Sequence, residues 1–194
     1  MIQVSDYLIK RLEQVGVRHV FVNPNTNDSY ISDSVNKSES IQPVSCFREQ
    51  ANSIAAEAYA RVYQQVGVLL VPSDFSSVDF LTGVSIAHDF STPLMVISAD
   101  CKNPDVFANP DEREEELNDT DIISVVKPIT SYAVSVTAPQ TIRYHFERCL
   151  YEATHGRKGP VWLDIPLDIQ SSLIDENGLE GFCSPDEGKR QIVR

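Results

Sequence analysis

The fold of this chain is decided by the stretch FREQANSIAAEAYAR at residues 47–61, which follows a short apparent strand from Pro43 to Cys46. The spacing of its residues predicts an alanine-rich helix that begins close to Glu49 and runs to about Tyr63. A strand-to-helix turn in an α/β fold faces the crevice where ligands bind. The residues alone therefore leave two interpretations of Glu49. It is a catalytic acid, or it is a first-turn carboxylate that stabilises the helix dipole by about 0.3–1 kcal/mol.

The apolar positions of this helix are mostly small, and they recur at helical spacing. They are Ala51, Ile54, Ala55, Ala58 and Val62. Small side chains permit the close approach of a neighbouring element of the same chain or of another subunit, and the pattern does not distinguish these two partners.

Strands and helices alternate through the rest of the chain. The apolar runs at residues 17–22, 66–71 and 94–98 are typical of strands buried on both faces. Further strands are predicted near residues 41–46, 129–136 and 159–166, with helices between them, and Asp119 or Thr120 is expected to cap a short helix before Pro128. This alternation predicts an α/β fold with a doubly wound, six-stranded, mainly parallel sheet and helices on both faces.

The domain is expected to cover residues 1–170. From residue 171 to residue 194 the periodicity fades and Gly, Ser, Asp and Glu dominate, so we interpret this stretch as an acidic tail or the start of an inter-domain linker.

Sixteen basic and 28 acidic residues give a net charge of −12, which argues against binding to nucleic acid or to an anionic membrane. Residues 111–121 hold seven of the acids and one base, and we interpret them as a solvated loop rather than a metal site, because they lack a defined ligand spacing. No apolar run approaches the roughly 18 residues that span a bilayer, and the first residues lack a signal-peptide pattern. We therefore expect a cytoplasmic protein.

The four cysteines form no C-x-x-C pair and are expected to stay reduced, with Cys46 and Cys149 as small core residues. The four histidines show no spacing typical of a zinc site, so no metal ligand is predicted in this chain.

Several segments, taken together and in this order, point to one family. They are VSDYL at 4–8, GVRHVF at 16–21, REQA at 48–51, AAEAYAR at 55–61, TGV at 82–84, DII at 121–123 and RKGPVWLDIP at 157–166. Over about residues 1–170 the chain resembles the N-terminal pyrimidine-binding domain of thiamine diphosphate-dependent enzymes, in the acetolactate synthase and pyruvate oxidase-like branch.

The resemblance implies thiamine diphosphate as the cofactor. It implies that Glu49 hydrogen-bonds N1′ of the cofactor's aminopyrimidine, which makes Glu49 the catalytic residue. It also places Pro24, Ser73 and Phe75 with Glu49 among the cofactor-binding residues. In the family, the diphosphate and its Mg²⁺ are held by a separate pyrophosphate-binding domain with a G-D-G…N motif, and no such motif occurs among the eight glycines of this chain.

Two loops depart from the family pattern, which has glycines in both. The loop after the first predicted strand reads NPNTND at residues 23–28 and keeps Pro24. The loop after the strand at 66–71 reads PSDFSS at residues 72–77, where Phe75 adds bulk near the expected pocket. Side chains now occupy space that glycine leaves open.

Two functions follow from the resemblance. The first is a pyrimidine-binding domain or subunit of a 2-oxo acid decarboxylase or carboligase, which is inactive alone and needs a pyrophosphate-binding partner. The alternative is a non-catalytic remnant or binding module that no longer holds the cofactor. In either case a homodimer or a heteromer is expected rather than a monomer.

Overall fold

The computed structural model describes residues 1–22, 29–71, 78–98 and 121–185. Within these ranges the chain forms eight strands and seven α-helices. The strands are β1 (Ile2–Gln3), β2 (His19–Val22), β3 (Gln42–Ser45), β4 (Gly67–Val71), β5 (Leu94–Ser98), β6 (Tyr132–Ser135), β7 (Pro160–Asp164) and β8 (Leu173–Ile174). The helices are α1 (Val4–Gln14), α2 (Tyr30–Lys37), α3 (Glu49–Tyr63), α4 (Leu81–Phe90), α5 (Ile122–Val126), α6 (Ile142–Thr154) and α7 (Leu167–Ser171).

Six of the strands form one sheet in the order β3-β2-β4-β5-β7-β6. Every neighbouring pair in it is parallel. Three of the four inner strands, β4, β5 and β7, are buried along their whole length, as expected for strands covered on both faces. The predicted six-stranded, doubly wound α/β fold is therefore confirmed, and the sheet is parallel throughout.

Two hydrophobic cores lie on the two faces of the sheet. One face packs against α1, α2, α6 and α7, with Leu8, Ile97 and Phe146 fully buried there. The other face packs against α3, α4 and α5, where Phe80 and Trp162 lie with ring centroids 5.5 Å apart. Because helices cover both faces, the connections that leave two neighbouring strands can run to opposite faces of the sheet. We call the place where this happens the switch point.

Local signals set several helix ends. Helix α1 ends before Gly16, whose φ of +88° lies in the left-handed region that glycine adopts at low cost. Helix α5 is capped by Asp121, which accepts a hydrogen bond from the Ser124 N–H at 3.2 Å. The expectation that Asp119 or Thr120 caps this helix is therefore wrong, because the cap lies at the residue directly before the first helical one.

A second, two-stranded sheet joins the two ends of the domain. Strands β1 and β8 pair antiparallel, with Ile2 opposite Ile174. Beyond β8, Glu176 forms an ion pair with Lys10 at 2.7 Å, and Arg143 donates a hydrogen bond to the Leu179 carbonyl at 3.1 Å. The first part of the stretch after residue 170 therefore packs against α1 and α6, a contact that its composition did not indicate. The domain boundary after residue 170 stays a prediction.

Within the described ranges, none of the helices is both long enough and apolar enough to cross a membrane.

Candidate functional site

The carboxyl ends of the parallel strands meet at one edge of the sheet. Strand β2 lies between β3 and β4, and the chain leaves β2 toward the face that holds α2 but leaves β4 toward the face that holds α4. A crevice opens where neighbouring strands send their connections to opposite faces, and ligands of open α/β sheets bind there. The candidate site is therefore at the ends of β2 and β4, next to the turn that follows β3.

Glu49 lies beside this crevice as the first residue of α3. The preceding residue, Arg48, is extended and forms the N-cap position. The Glu49 side chain is partly exposed, but its Oε2 atom is buried. The structure thus places a carboxylate at the start of the helix, as the sequence predicted, and one of its two oxygens is buried.

Asn52 holds the turn that leads into Glu49. Its side chain is 1% exposed, and Oδ1 accepts a hydrogen bond from the Cys46 N–H at 2.7 Å. Its Nδ2 donates to the Cys46 carbonyl at 3.2 Å. These two bonds connect the end of the β3 segment to the first turn of α3, so Asn52 positions Glu49. Sequence reasoning missed this residue, although a polar residue three positions after Glu49, on the inward side of the helix, was a usable signal.

Two further contacts fix the first turns of α3 against α4. Ser53 is fully buried, donates to the Gln50 carbonyl at 2.9 Å and accepts from the Gly83 N–H at 3.2 Å. Gln50 Nε2 donates to the Thr82 hydroxyl at 3.2 Å. The helix that carries Glu49 is therefore anchored to α4, the helix that follows β4, on the same face of the sheet.

The other three predicted site residues lie outside the described residues. Pro24 belongs to the segment that follows β2, and Ser73 and Phe75 belong to the segment that follows β4. The ends of these two strands are adjacent, since Phe21 of β2 pairs with Leu69 of β4. The strand order thus sends the two segments out from neighbouring points, but a contact of Pro24, Ser73 or Phe75 with Glu49 stays a prediction.

Gln170 fixes the start of α2, just after the segment that contains Pro24. It is fully buried, and its Oε1 accepts from the Ile31 N–H at 3.2 Å. Its Nε2 donates to the Ile165 carbonyl at 2.7 Å. The amino end of α2 is therefore fastened to the residue directly after β7.

A buried carboxylate at the same edge connects the ends of β5, β6 and β7. Asp164, at the end of β7, is 2% exposed. Its two oxygens accept hydrogen bonds from the hydroxyls of Ser98 at 2.6 Å and Ser135 at 2.7 Å. The Ser98 hydroxyl in turn accepts from Trp162 Nε1 at 2.9 Å. This cluster fixes the ends of β5, β6 and β7, and sequence reasoning did not single it out.

In the described part of the chain, no three or more His, Cys, Asp or Glu side chains gather in a way that could hold a metal ion. Among the described residues, the chemistry of this edge rests on Glu49, a partly exposed carboxylate at the start of α3 that follows a hydrogen-bonded turn. Such a group can exchange a proton with a ligand nitrogen in the crevice.

Comparison with known proteins gives this edge a context. Residues 2–122 match the family model described as "Thiamine pyrophosphate enzyme, N-terminal TPP binding domain". The matched range includes Glu49, the switch point and the strands β2 to β5.

Three relatives are named acetolactate synthases. The chain is 32% identical over 201 residues to the chloroplastic acetolactate synthase of Arabidopsis thaliana, a match that covers 98% of this chain and 29% of the relative. It is 29% identical to the acetolactate synthase of Arthrospira platensis, over 87% of this chain and 28% of the relative. It is 26% identical to the acetolactate synthase large subunit of Lactococcus lactis, over 89% of this chain and 29% of the relative. The chain thus spans less than a third of the length of these relatives.

Proposed function

We propose that this chain forms the pyrimidine-binding half of a thiamine diphosphate site. The proposal starts from its family, because the chain belongs to the thiamine pyrophosphate enzymes' N-terminal TPP-binding domains. Glu49 is the catalytic residue of that half. The observation that supports this role is the position of Glu49 at the carboxyl edge of the sheet, on the first turn of α3 and beside the β2/β4 switch point.

The residues present are suited to an aminopyrimidine. One Glu49 oxygen is buried while the residue as a whole is partly exposed, so the protein encloses one side of the carboxyl group and leaves part of the residue accessible. A carboxyl group can share a proton with N1′ of the ring, whereas an amide cannot release one. When bound, thiamine diphosphate stabilises the carbanion that forms when a 2-oxo acid loses carbon dioxide. Pro24, Ser73 and Phe75 complete the pyrimidine pocket in this proposal.

A pyrophosphate-binding domain or subunit of the same enzyme supplies the rest of the site. It holds the diphosphate of the cofactor and its Mg²⁺, because this chain contains no G-D-G…N motif. Charge-assisted contacts to the diphosphate contribute most of the affinity for such a cofactor. The isolated chain is therefore inactive, and the complete assembly is a homodimer or a heteromer.

The reaction of the assembly is the decarboxylation of a 2-oxo acid, with or without transfer of the product carbanion to an acceptor. The supporting observation is that the relatives with the matched sequence are named acetolactate synthases. The enzyme is accordingly a lyase or transferase of the acetolactate synthase type, and we expect it in the cytoplasm.

A second candidate is a binding module that no longer holds the cofactor. The observation that favours it is the absence of glycine from residues 23–28 and 72–77, the two segments that leave the sheet at the switch point. A glycine leaves room for backbone to approach a ring closely, and the sequence of these two segments offers none. In this case Glu49 only stabilises the first turn of α3.

The two candidates predict different partners. The test is purification of the tagged chain from its native cells, with identification of bound proteins by mass spectrometry. The first candidate predicts a second chain with a G-D-G…N motif. It also predicts that the complex, with added thiamine diphosphate and Mg²⁺, decarboxylates a 2-oxo acid from a test panel. Recovery of the chain alone or only with itself would favour the second candidate.

Within an active complex, Glu49→Gln should lower kcat by about 100-fold or more, the usual loss for a general acid–base. The matched control is Glu39→Gln, since Glu39 is exposed and lies away from the crevice. Circular dichroism spectra should show that both variants keep the fold. Unchanged kcat in Glu49→Gln would remove its catalytic role, and activity of the pure single chain would overturn the need for a second domain.

A further inference from the structure

The start of α2 is held by a residue that lies 139 positions further along the chain. Gln170 of α7 is fully buried, and its Oε1 accepts a hydrogen bond from the N–H of Ile31, the second residue of α2, at 3.2 Å. Its Nε2 donates to the Ile165 carbonyl at 2.7 Å. The N–H groups of a first helical turn have no partner within their own helix. Gln170 therefore supplies a partner that α2 cannot provide for itself.

The rest of the first turn of α2 is closed by local contacts. The Ser29 hydroxyl accepts from the Ser32 N–H at 3.2 Å, and the Ser29 carbonyl accepts from the Asp33 N–H at 3.2 Å. Of the N–H groups of residues 31–33, that of Ile31 is the one that depends on a distant element. A buried N–H that loses its partner is costly, so the position of α2 is coupled to that of Gln170.

Helix α7, which carries Gln170, is held in turn by the residues that follow it. The helix ends at Ser171, and the carbonyl of the next residue accepts a hydrogen bond from the Val4 N–H at 3.0 Å. Strand β8 then pairs with β1. The carboxyl end of α7 is therefore fixed to the first residues of the chain.

The residues from β8 onward, which we call the strap (residues 173–182), connect this junction to α6. Two strap side chains, Ile174 and Leu179, are buried in the hydrophobic core that also contains the second residue of α2. At the other end of the strap, Glu147 of α6 accepts a hydrogen bond from the Phe182 N–H at 2.8 Å. The strap is thus bound at both ends, and α7 lies between it and α2.

We propose that the strap and Gln170 form one conformational device, in which docking of the strap on α6 sets how firmly the start of α2 is held. The start of α2 borders the candidate crevice, because α2 follows the connection that leaves β2 at the switch point. A docked strap keeps α7 in place, and Gln170 then restrains one side of the crevice. A released strap lets α7 move, and the Ile31 N–H loses its partner more often.

The coupling acts in both directions, because a free energy that links two sites is shared by both of them. A ligand that fixes the start of α2 from the crevice also favours the docked strap, so occupancy of the crevice is transmitted to α6. This holds for any ligand of the crevice and does not require the cofactor proposed above. The free chain therefore provides the test, and its outcome is separate from that of the activity measurements.

The first measurement is residue-resolved hydrogen exchange of the full chain by NMR. Gln170→Met removes both hydrogen bonds of the side chain and keeps an unbranched side chain of similar size. Exchange of the Ile31 N–H should become about tenfold faster or more. The matched control is Asn52→Ala, which also removes two bonds from a buried amide to the backbone, but at α3. It should leave the Ile31 rate unchanged.

Release of the strap tests the coupling itself. Glu147→Ala combined with Phe182→Ala removes the carboxylate and the ring that bind the strap to α6, and limited proteolysis of the strap measures its release. The Ile31 N–H should exchange about fivefold faster or more, the lower end of the usual range for coupled sites. In the Gln170→Met background the same pair of replacements should add little, because the link to α2 is already lost. Glu152→Ala, on the same helix, is the control and should change neither rate.

The N–H groups of Leu70 and Ile97, in the central strands β4 and β5, report general unfolding. An Ile31 rate that Gln170→Met or strap release leaves unchanged would overturn the proposal. So would effects of the two that simply add, or an equal acceleration at the central strands, which would indicate a general loss of stability. A strap that stays protected from protease without the Glu147 carboxylate and the Phe182 ring would also overturn it, because docking would then not depend on α6.

Discussion

The Asn52 side chain connects the backbone that follows β3 to the first turn of α3, which carries the candidate catalytic residue Glu49. Its side chain uses both its acceptor and its donor on the backbone of Cys46, in a place that water does not reach. A hydrogen-bonded turn of this kind leaves Glu49 little freedom at the helix start. The proposed catalytic function therefore depends on a residue that has no chemistry of its own in the reaction.

The replacement Asn52→Ala should lower the free energy of unfolding by about 1–3 kcal/mol, because two hydrogen bonds between the buried Asn52 side chain and the partly buried backbone of Cys46 are lost. Urea denaturation monitored by circular dichroism measures this change. The control is Asn36→Ala, since Asn36 is an exposed residue of another helix and should have a much smaller effect. Equal losses in the two variants would show that Asn52 does not hold the turn.

His145 makes stability depend on pH. Its Nδ1 lies 2.9 Å from the Tyr132 hydroxyl, which can donate to a neutral imidazole, and Tyr144 packs against its ring. Burial lowers the pKa of His145, and the nearby Arg148 guanidinium lowers it further. The unfolded chain therefore binds a proton more readily at this residue than the folded chain does. The contribution to stability is complete above the unfolded pKa of about 6.5 and is lost as the pH falls below it.

His145→Gln should consequently flatten the fall of the thermal unfolding midpoint between about pH 7 and pH 5. His155→Gln is the control, because His155 is exposed at the end of α6. If His145→Gln leaves the slope unchanged, other titrating groups determine the acid sensitivity.

Helix α6 anchors the segment that follows β8. Glu147 accepts hydrogen bonds from Arg11 Nη2 and Arg143 Nε, both at 2.9 Å, and from the Phe182 N–H at 2.8 Å. The Phe182 ring packs between Tyr144 and Tyr151, with centroid distances of 5.6 and 5.5 Å. One carboxylate thus ties α1, α6 and the segment together.

Glu147→Ala should therefore release residues 175–182, because the Phe182 N–H and two guanidinium groups lose a charged acceptor. Limited proteolysis should cut this segment faster than in the unaltered chain, with the cut sites identified by mass spectrometry. Glu152→Ala is the control, since Glu152 lies on the same helix and forms an ion pair with Arg148 at 3.6 Å. Equal cleavage rates in both variants would mean that β8 and the aromatic contacts suffice.

At the scale of the whole molecule, the candidate crevice and the exposed apolar side of α3 lie at different places. The crevice lies at the carboxyl edge of the sheet, between connections that leave β2 and β4 on opposite faces. The exposed apolar side of α3, which includes Ile54 and Val62, lies on the outer side of the helix layer that contains α3 and α4. The relatives are more than three times as long as the matched stretch.

The sequence by itself determined the alternation of strands and helices, the parallel sheet and the place of Glu49. These features can be read from local patterns. A strand buried on both faces needs a continuous apolar run, and a helix with one buried side needs apolar residues at helical spacing. The strand-to-helix turn at residues 46–49 was visible for the same reason. The family relationship followed from several such segments in one order.

Only the tertiary structure decided which side of α3 faces inward. The apolar spacing marked Ala51, Ile54, Ala58 and Val62 as one side of the helix but did not say what covers it. The glycines of β4 and α4, distant in sequence, brought Ser53 and Ala56 against the core and turned the apolar side outward. The partners of Asn52, Asp164 and Glu147 were likewise hidden, because a polar side chain is satisfied by atoms that only folding brings within about 3 Å.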